Sequence, residues 1–171
     1  MVTDALVPLP AFDPRPDIRL IAADMDGTLL DDRKEIHDHF WPLVDELFRR
    51  GVLFCPASGR QYHTLHREFG DVADEMVYIA ENGAFVVRGR EEISADTLGD
   101  DVVTRVVEAV RGLREAGADV GAVVCGKDSA YVERDDPAFM EQADHYYAHL
   151  EVVDDLLARP EDRILKIAVY D

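Results

Sequence analysis

The stretch Leu20-Ile21-Ala22-Ala23, running straight into Asp24-Met25-Asp26-Gly27-Thr28-Leu29, constrains this chain more than any other. Four consecutive apolar residues read as a strand buried on both faces, the pattern of a parallel sheet. The run stops at two acids, a glycine and a threonine. In an open α/β sheet, ligands bind outside the carboxyl ends of the strands, which puts Asp24 and Asp26 at the lip of a crevice. Only Met25 separates them, and carboxylates crowded onto one turn repel unless a cation joins them. An all-oxygen set of this kind suits magnesium, with a substrate phosphate as a further ligand. Gly27 permits unusual backbone angles and a close approach to a ligand. Thr28 adds a hydroxyl and a backbone donor. An EF-hand calcium loop starting at Asp24 would place its last ligand at Glu35, but it needs glycine where this chain has Leu29. The plainer alternative is an acidic turn that only closes a strand.

Asp24-Met25-Asp26-Gly27-Thr28-Leu29 resembles the first motif of the haloacid dehalogenase superfamily, DxDGT[L/V], and carries every defining residue of it. A motif counts only in its structural context, and here the required strand precedes it. The second apolar run, Val52–Cys55, leads into Pro56-Ala57-Ser58-Gly59-Arg60. On the residues alone this is an anion-binding corner or a plain helix cap, ahead of the helical pattern of Leu65 and Phe69. It is similar to the family's second motif, a hydrophobic residue followed by Ser or Thr, Gly and Arg. The third apolar run, Met76–Ala80, ends in Glu81-Asn82-Gly83-Ala84. Asn-Gly reads as a turn into a hairpin of Phe85–Arg88 with Glu91–Ile93. An Asn-Gly-Ala at this point also resembles the Cof-type branch, whose chain then leaves the core for a cap.

The resemblance implies a magnesium-dependent phosphatase of small phosphate esters, sugar phosphates first. It makes Asp24 the nucleophile that forms an aspartyl-phosphate and Asp26 the general acid and base. Mg2+ falls to Asp24 and Asp26. The phosphate falls to Gly27, Thr28 and Ser58, with Gly59, Arg60 and Asn82 beside it. Two alternatives stay open: a phosphomutase, which shares the first motif, and a non-catalytic phosphate- or partner-binding domain.

The chain divides into an irregular leader over 1–17, with Pro8, Pro10, Pro14 and Pro16, then core over 18–84 and cap over 85–171. The fold class expected is α/β: a Rossmann-like parallel-sheet core holding strands 1–3, with an inserted α+β cap. In the core, a strand over Ile18–Ala23 precedes a helix marked by Ile36, Phe40, Leu43, Val44, Leu47 and Phe48, stopped by Gly51. Pro42 kinks that helix or marks its first turn. In the cap, a fresh pattern from about residue 95 predicts an amphipathic helix on Val102, Val103, Val106, Val107, Val110 and Leu113, between Gly99-Asp100 and Gly117. Strands over Val120–Cys125 and Ala130–Val132 follow, then a helix capped by Asp136-Pro137 and a last strand over Arg163–Tyr170. His145 and His149, one helical turn apart, could bind zinc but lack a third ligand, and a solvated helix face is the better reading. His63 and His66 read as solvated or structural.

Family members carry two motifs after the cap, a lysine that balances charge and an acidic pair that completes the metal site. Neither follows in these 171 residues, and Lys166, in the last cap strand, is not assigned the lysine's role. The chain is therefore expected to be the N-terminal portion of the pattern, catalytically incomplete alone. Its first strand would be an exposed edge, open to self-association or to a completing segment. With 36 acids against 18 bases, the formal charge of −18 repels nucleic acid and anionic membranes. It also repels a phosphorylated substrate, so cations at the site must offset it. No run approaches the roughly 18 apolar residues of a membrane span, and no basic-then-apolar leader is visible. Cys55 and Cys125 read as small buried hydrophobes of a reducing cytoplasm.

Overall fold

The computed structural model describes residues 16–170, apart from the side chain of His145. The leader expected over 1–17 lies almost wholly outside the described residues.

The first sheet follows from the apolar runs. β1 (Leu20–Asp24) pairs in parallel with β2 (Leu53–Ala57), Leu20 opposite Leu53 and Asp24 opposite Ala57, and β2 pairs in parallel with β3 (Val77–Ala80). The crossovers carry α1 (Phe40–Arg49) and α2 (Tyr62–Glu68). Phe40 and Val44 of α1 are buried, Leu47 and Phe48 pack beside them, and Pro42 lies in the first turn, where its missing N–H costs nothing. Ile36, assigned to the helix by spacing, precedes it and bridges to Leu30. The core beneath is aromatic. Phe40 meets Phe54 at 5.1 Å between ring centroids, and Phe69 meets Phe40 and Tyr78, each at 6.1 Å.

β1 departs from expectation in two respects. It starts two residues later than read, and it is not covered on both faces. Ile21 and Ala23 pack on the core, whereas Ala22 is exposed and Leu20 is 50% exposed. The reason is position: the spatial order is β1-β2-β3-β4-β5, so β1 is, as expected, an edge among the described residues. The hairpin of β4 (Phe85–Arg88) and β5 (Glu91–Ala95) extends this sheet antiparallel to β3. By hydrogen bonding residues 85–95 thus belong with the first sheet, although Phe85 and Val87 also pack against Leu165 of the second.

The second sheet runs β8-β7-β6-β9, from β6 (Gly121–Gly126), β7 (Ala130–Val132), β8 (Leu150–Val152) and β9 (Ile164–Tyr170). β6 is buried along its whole length, and the two-residue period sends its side chains to opposite covers. Ala122 and Val124 meet Val103, Val107 and Val110 of α3 (Asp100–Glu115), while Val123 and Cys125 meet Phe139 and Ala143 of α4 (Pro137–Tyr146). The predicted cap is present: the Asp136 carboxylate accepts a 3.3 Å bond from the Phe139 amide, with Pro137 at the first helical position. Three-residue β8 was not foreseen. Among the described residues no helix is long and apolar enough to cross a membrane.

Candidate active site

Met25 explains the projection of the two acids. Its side chain is fully buried, which anchors the turn in the core and leaves Asp24 and Asp26 exposed on either side. The turn closes through the Leu30 amide donating to the Met25 carbonyl at 2.8 Å and the Leu29 amide reaching Met25 and Asp24 carbonyls at 3.1 and 3.2 Å. Gly27 takes a φ of 72°, a left-handed conformation that a side chain would strain.

The two carboxylates differ in surroundings. Asp24 Oδ1 accepts the Met25 amide at 2.8 Å, and no ion pair reaches it among the described residues. Asp26 is gripped by two cations: Lys34 Nζ at 2.7 Å and Arg60 Nη2 at 3.1 and 3.4 Å from its two oxygens. The Lys34 bond first, then the Arg60 charge, hold the Asp26 carboxyl below the usual carboxylate range against its slight burial. Arg60 is itself 8% exposed and also pairs with Glu68. Lys34 closes the polar stretch Asp31-Asp32-Arg33-Lys34, which carries no pattern that points to Asp26.

Ladder bonds continue past the strand ends and knit the remaining residues together. The Ser58 amide donates to the Ile79 carbonyl at 2.9 Å, the Asn82 amide to Ser58 at 3.1 Å, and the Glu81 amide to Arg60 at 3.1 Å. Ser58 Oγ accepts the Arg60 amide at 3.2 Å. Glu81 and Asn82 both adopt left-handed backbone, φ 52° and 57°. A Cβ at Gly59 would lie 2.6 Å from Asn82 Oδ1, so only glycine lets that amide side chain rest against the loop. Asp24, Asp26, Ser58, Gly59, Arg60 and Asn82 therefore gather at the carboxyl ends of β1, β2 and β3. Gly27 and Thr28 stand exposed on the first turn.

Two further residues reach this edge without having been foreseen. Lys166 on β9 donates to the Gly59 carbonyl and stands 2.7 Å from an oxygen of Glu81, which is 1% exposed. Burial pushes the Glu81 carboxyl up, and Lys166 opposes the shift. The available signal was a lone lysine within the apolar run Ile164–Tyr170.

The α2 side of the edge is docked to the second sheet by side chains that behave as backbone. Gln61 Nε2 donates to the His149 carbonyl at 3.0 Å while its Oε1 accepts the His149 amide at 2.9 Å. Thr64 Oγ1 donates to the Tyr146 carbonyl and accepts the Ala148 amide, each at 3.0 Å. Gln61 and Thr64 are 1% and 2% exposed. His149 stacks on His63, centroids 4.0 Å apart, and its Nδ1 lies 3.2 Å from the Asp128 carbonyl. The side chain of His145, its partner in the zinc reading, lies outside those described.

Burial first, then the neighbouring His149, hold the His63 imidazole below its ordinary pKa. The unfolded chain then takes up that proton more readily, so His63 withdraws stability as pH falls below about 6.5. Glu81, shifted upward, acts in the opposite sense in acid. The melting temperature should drop between pH 7.5 and 5.5, and His63→Gln should reduce the drop. A His63→Gln protein with the same drop as wild type would refute this.

A profile of the haloacid dehalogenase-like hydrolases matches residues 21–171. The 5-amino-6-(5-phospho-D-ribitylamino)uracil phosphatase YbjI of Escherichia coli (strain K12) is 37% identical over 139 residues, 80% of this chain and 50% of YbjI. Among solved structures, SMU.1108c from Streptococcus mutans UA159 superposes with a TM-score of 0.78 at 20% identity, covering 89% of this chain and 56% of that one. A Eubacterium rectale protein superposes at 0.76 and 26% identity, covering 90% and 58%. The chain spans about half the length of these relatives. With its DxDGT turn, its Ser58 loop and its Asn82-Gly83-Ala84 corner on adjacent strand ends, the chain belongs to the haloacid dehalogenase-like hydrolases, in their Cof-type branch.

Proposed function

We propose that the protein of which this chain is part hydrolyses small phosphate esters through an aspartyl-phosphate on Asp24. The observation that carries the reading is the unequal pair: Asp24 exposed without a counter-ion, Asp26 held by Lys34 and Arg60. The first sheet would serve as the core and the second as a cap. Asp24 attacks phosphorus, the phosphorus–oxygen bond to the leaving group breaks, and Asp26 gives that oxygen its proton. Water then attacks the aspartyl-phosphate while Asp26 takes the water's proton back, and phosphate leaves. Lys34 and Arg60 favour the charged form of Asp26 that takes the water's proton in the second step, and disfavour the protonated form that serves the first, which the charge of the bound phosphate must offset. Ser58 Oγ, Asn82, and the exposed Gly27–Thr28 turn hold the phosphate oxygens.

The donor set fits magnesium, which binds through one or two carboxylates together with phosphate oxygens and water. Asp24 offers a free carboxylate oxygen and Asp26 its backbone carbonyl, since the Asp26 carboxylate is already engaged. When bound, the metal neutralises charge on the phosphoryl oxygens. YbjI is named for a substrate bearing a phosphorylated ribityl chain, which supports sugar and sugar-alcohol phosphates as the substrate class here. Free, buried Cys55 and Cys125 are in keeping with a cytoplasmic protein.

The test is turnover of p-nitrophenyl phosphate and ribitol 5-phosphate by the full-length gene product. Chelation should lower kcat by about a hundred-fold or more, and added Mg2+ should restore it. Phosphate binding without turnover would replace the enzyme by a binding domain, and dependence on a bisphosphate activator would replace it by a mutase.

A further inference from the structure

The geometry points to Lys166 as a positioning residue that lets the second sheet set the conformation of the Ser58-Gly59-Arg60 loop. The inference rests on the proposed phosphate site only for its catalytic readout. Lys166 lies 107 residues from Gly59 in sequence, on a strand of the other sheet, yet its ammonium donates to the Gly59 carbonyl. That carbonyl belongs to the Gly59–Arg60 peptide, whose N–H donates to Ser58 Oγ. The same ammonium stands 2.7 Å from Glu81 Oε2. Glu81 in turn tethers the loop from behind, its amide donating to the Arg60 carbonyl at 3.1 Å, while the next amide, Asn82, donates to Ser58.

One cation thus closes a ring through Gly59, Arg60 and Glu81. Glu81 has no other counter-charge within 4 Å among the described residues, and its two oxygens make no further hydrogen bond there. The Tyr147 ring lies 5.7 Å from Lys166 Nζ and adds an aromatic face under the charge. Removing one partner of a buried pair leaves the other uncompensated. Glu81 also holds a left-handed backbone, which persists only where its surroundings enforce it. The loop that carries Ser58 is therefore held correctly only while β9 is docked, and undocking the second sheet would loosen it.

The experiment compares Lys166→Met, Lys166→Arg and Lys166→Met/Glu81→Gln in the full-length protein by hydrogen exchange. In Lys166→Met, the amides of Ser58, Glu81 and Asn82 should exchange about tenfold faster, while those of α3 stay within about twofold. Lys166→Arg, which keeps a donor and the charge, should stay close to wild type. The double variant removes the stranded carboxylate but not the lost tie to Gly59. It should regain the wild-type melting temperature and still show the fast loop. On p-nitrophenyl phosphate, Lys166→Met should lower kcat about tenfold with less change in KM. Wild-type exchange at Ser58, Glu81 and Asn82 in Lys166→Met would overturn the inference. So would a uniform rise throughout the chain that Glu81→Gln cures, since that would make Lys166 only a neutralising charge. A wild-type protein without turnover would defeat the phosphatase reading, and the exchange result would still decide the role of Lys166.

Discussion

Asp24→Asn should abolish hydrolysis of phosphate esters by the full-length protein, with kcat falling at least about a thousand-fold, while the fold persists. The amide keeps the shape of the carboxylate but not the charge that attacks phosphorus. Stability should be nearly unaffected, because the Asp24 side chain is exposed and the Met25 amide can donate as well to an asparagine oxygen. Steady-state rates together with melting temperatures check both halves. Retention of more than about a tenth of the wild-type rate in a well-folded variant would remove Asp24 from the chemistry.

Phe69→Ala should be the most damaging change to the fold, costing about 3–5 kcal/mol. Phe69 is 1% exposed and its ring meets Phe40, Trp41 and Tyr78, so truncation opens a cavity where both helices of the first sheet meet the strands. Against a typical domain stability of about 5–15 kcal/mol, that is a large fraction. Trp41 is the single tryptophan and packs on this same cluster, so its fluorescence reports the first core in urea titrations. A loss below about 1 kcal/mol would mean that the site collapses to fill the void or that the packing differs.

Legibility followed the range of the interaction. Asp24, Ser58 and Asn82 could be placed because each ends an apolar run, and runs and turns are local patterns. The Asp136 cap and Cys55 and Cys125 as buried free thiols were legible for the same reason. What escaped depends on packing between distant segments. Nothing in the spacing of Lys34 or Arg60 announces that both converge on Asp26, and nothing near Lys166 announces Gly59. The edge position of β1 was expected, but its apolar run overstates the cover over Leu20 and Ala22. Three-residue β8 is too short for periodicity to reveal.

The backbone-like docking by Gln61 and Thr64 has an evolutionary consequence. Gln61 meets the amide and carbonyl of residue 149, and Thr64 the carbonyl of 146 and the amide of 148, so neither contact depends on which side chains those positions carry. Substitutions at those positions, proline at 148 and 149 aside, leave these four hydrogen bonds available, although replacing His149 removes its stack on His63. These two joints constrain the backbone of 146, 148 and 149, whereas Tyr147 between them is fixed by its own burial against Cys125 and Lys166. The side-chain constraint of these bonds falls on Gln61 and Thr64, which follow the Ser58-Gly59-Arg60 loop and would change only at the expense of the docking itself.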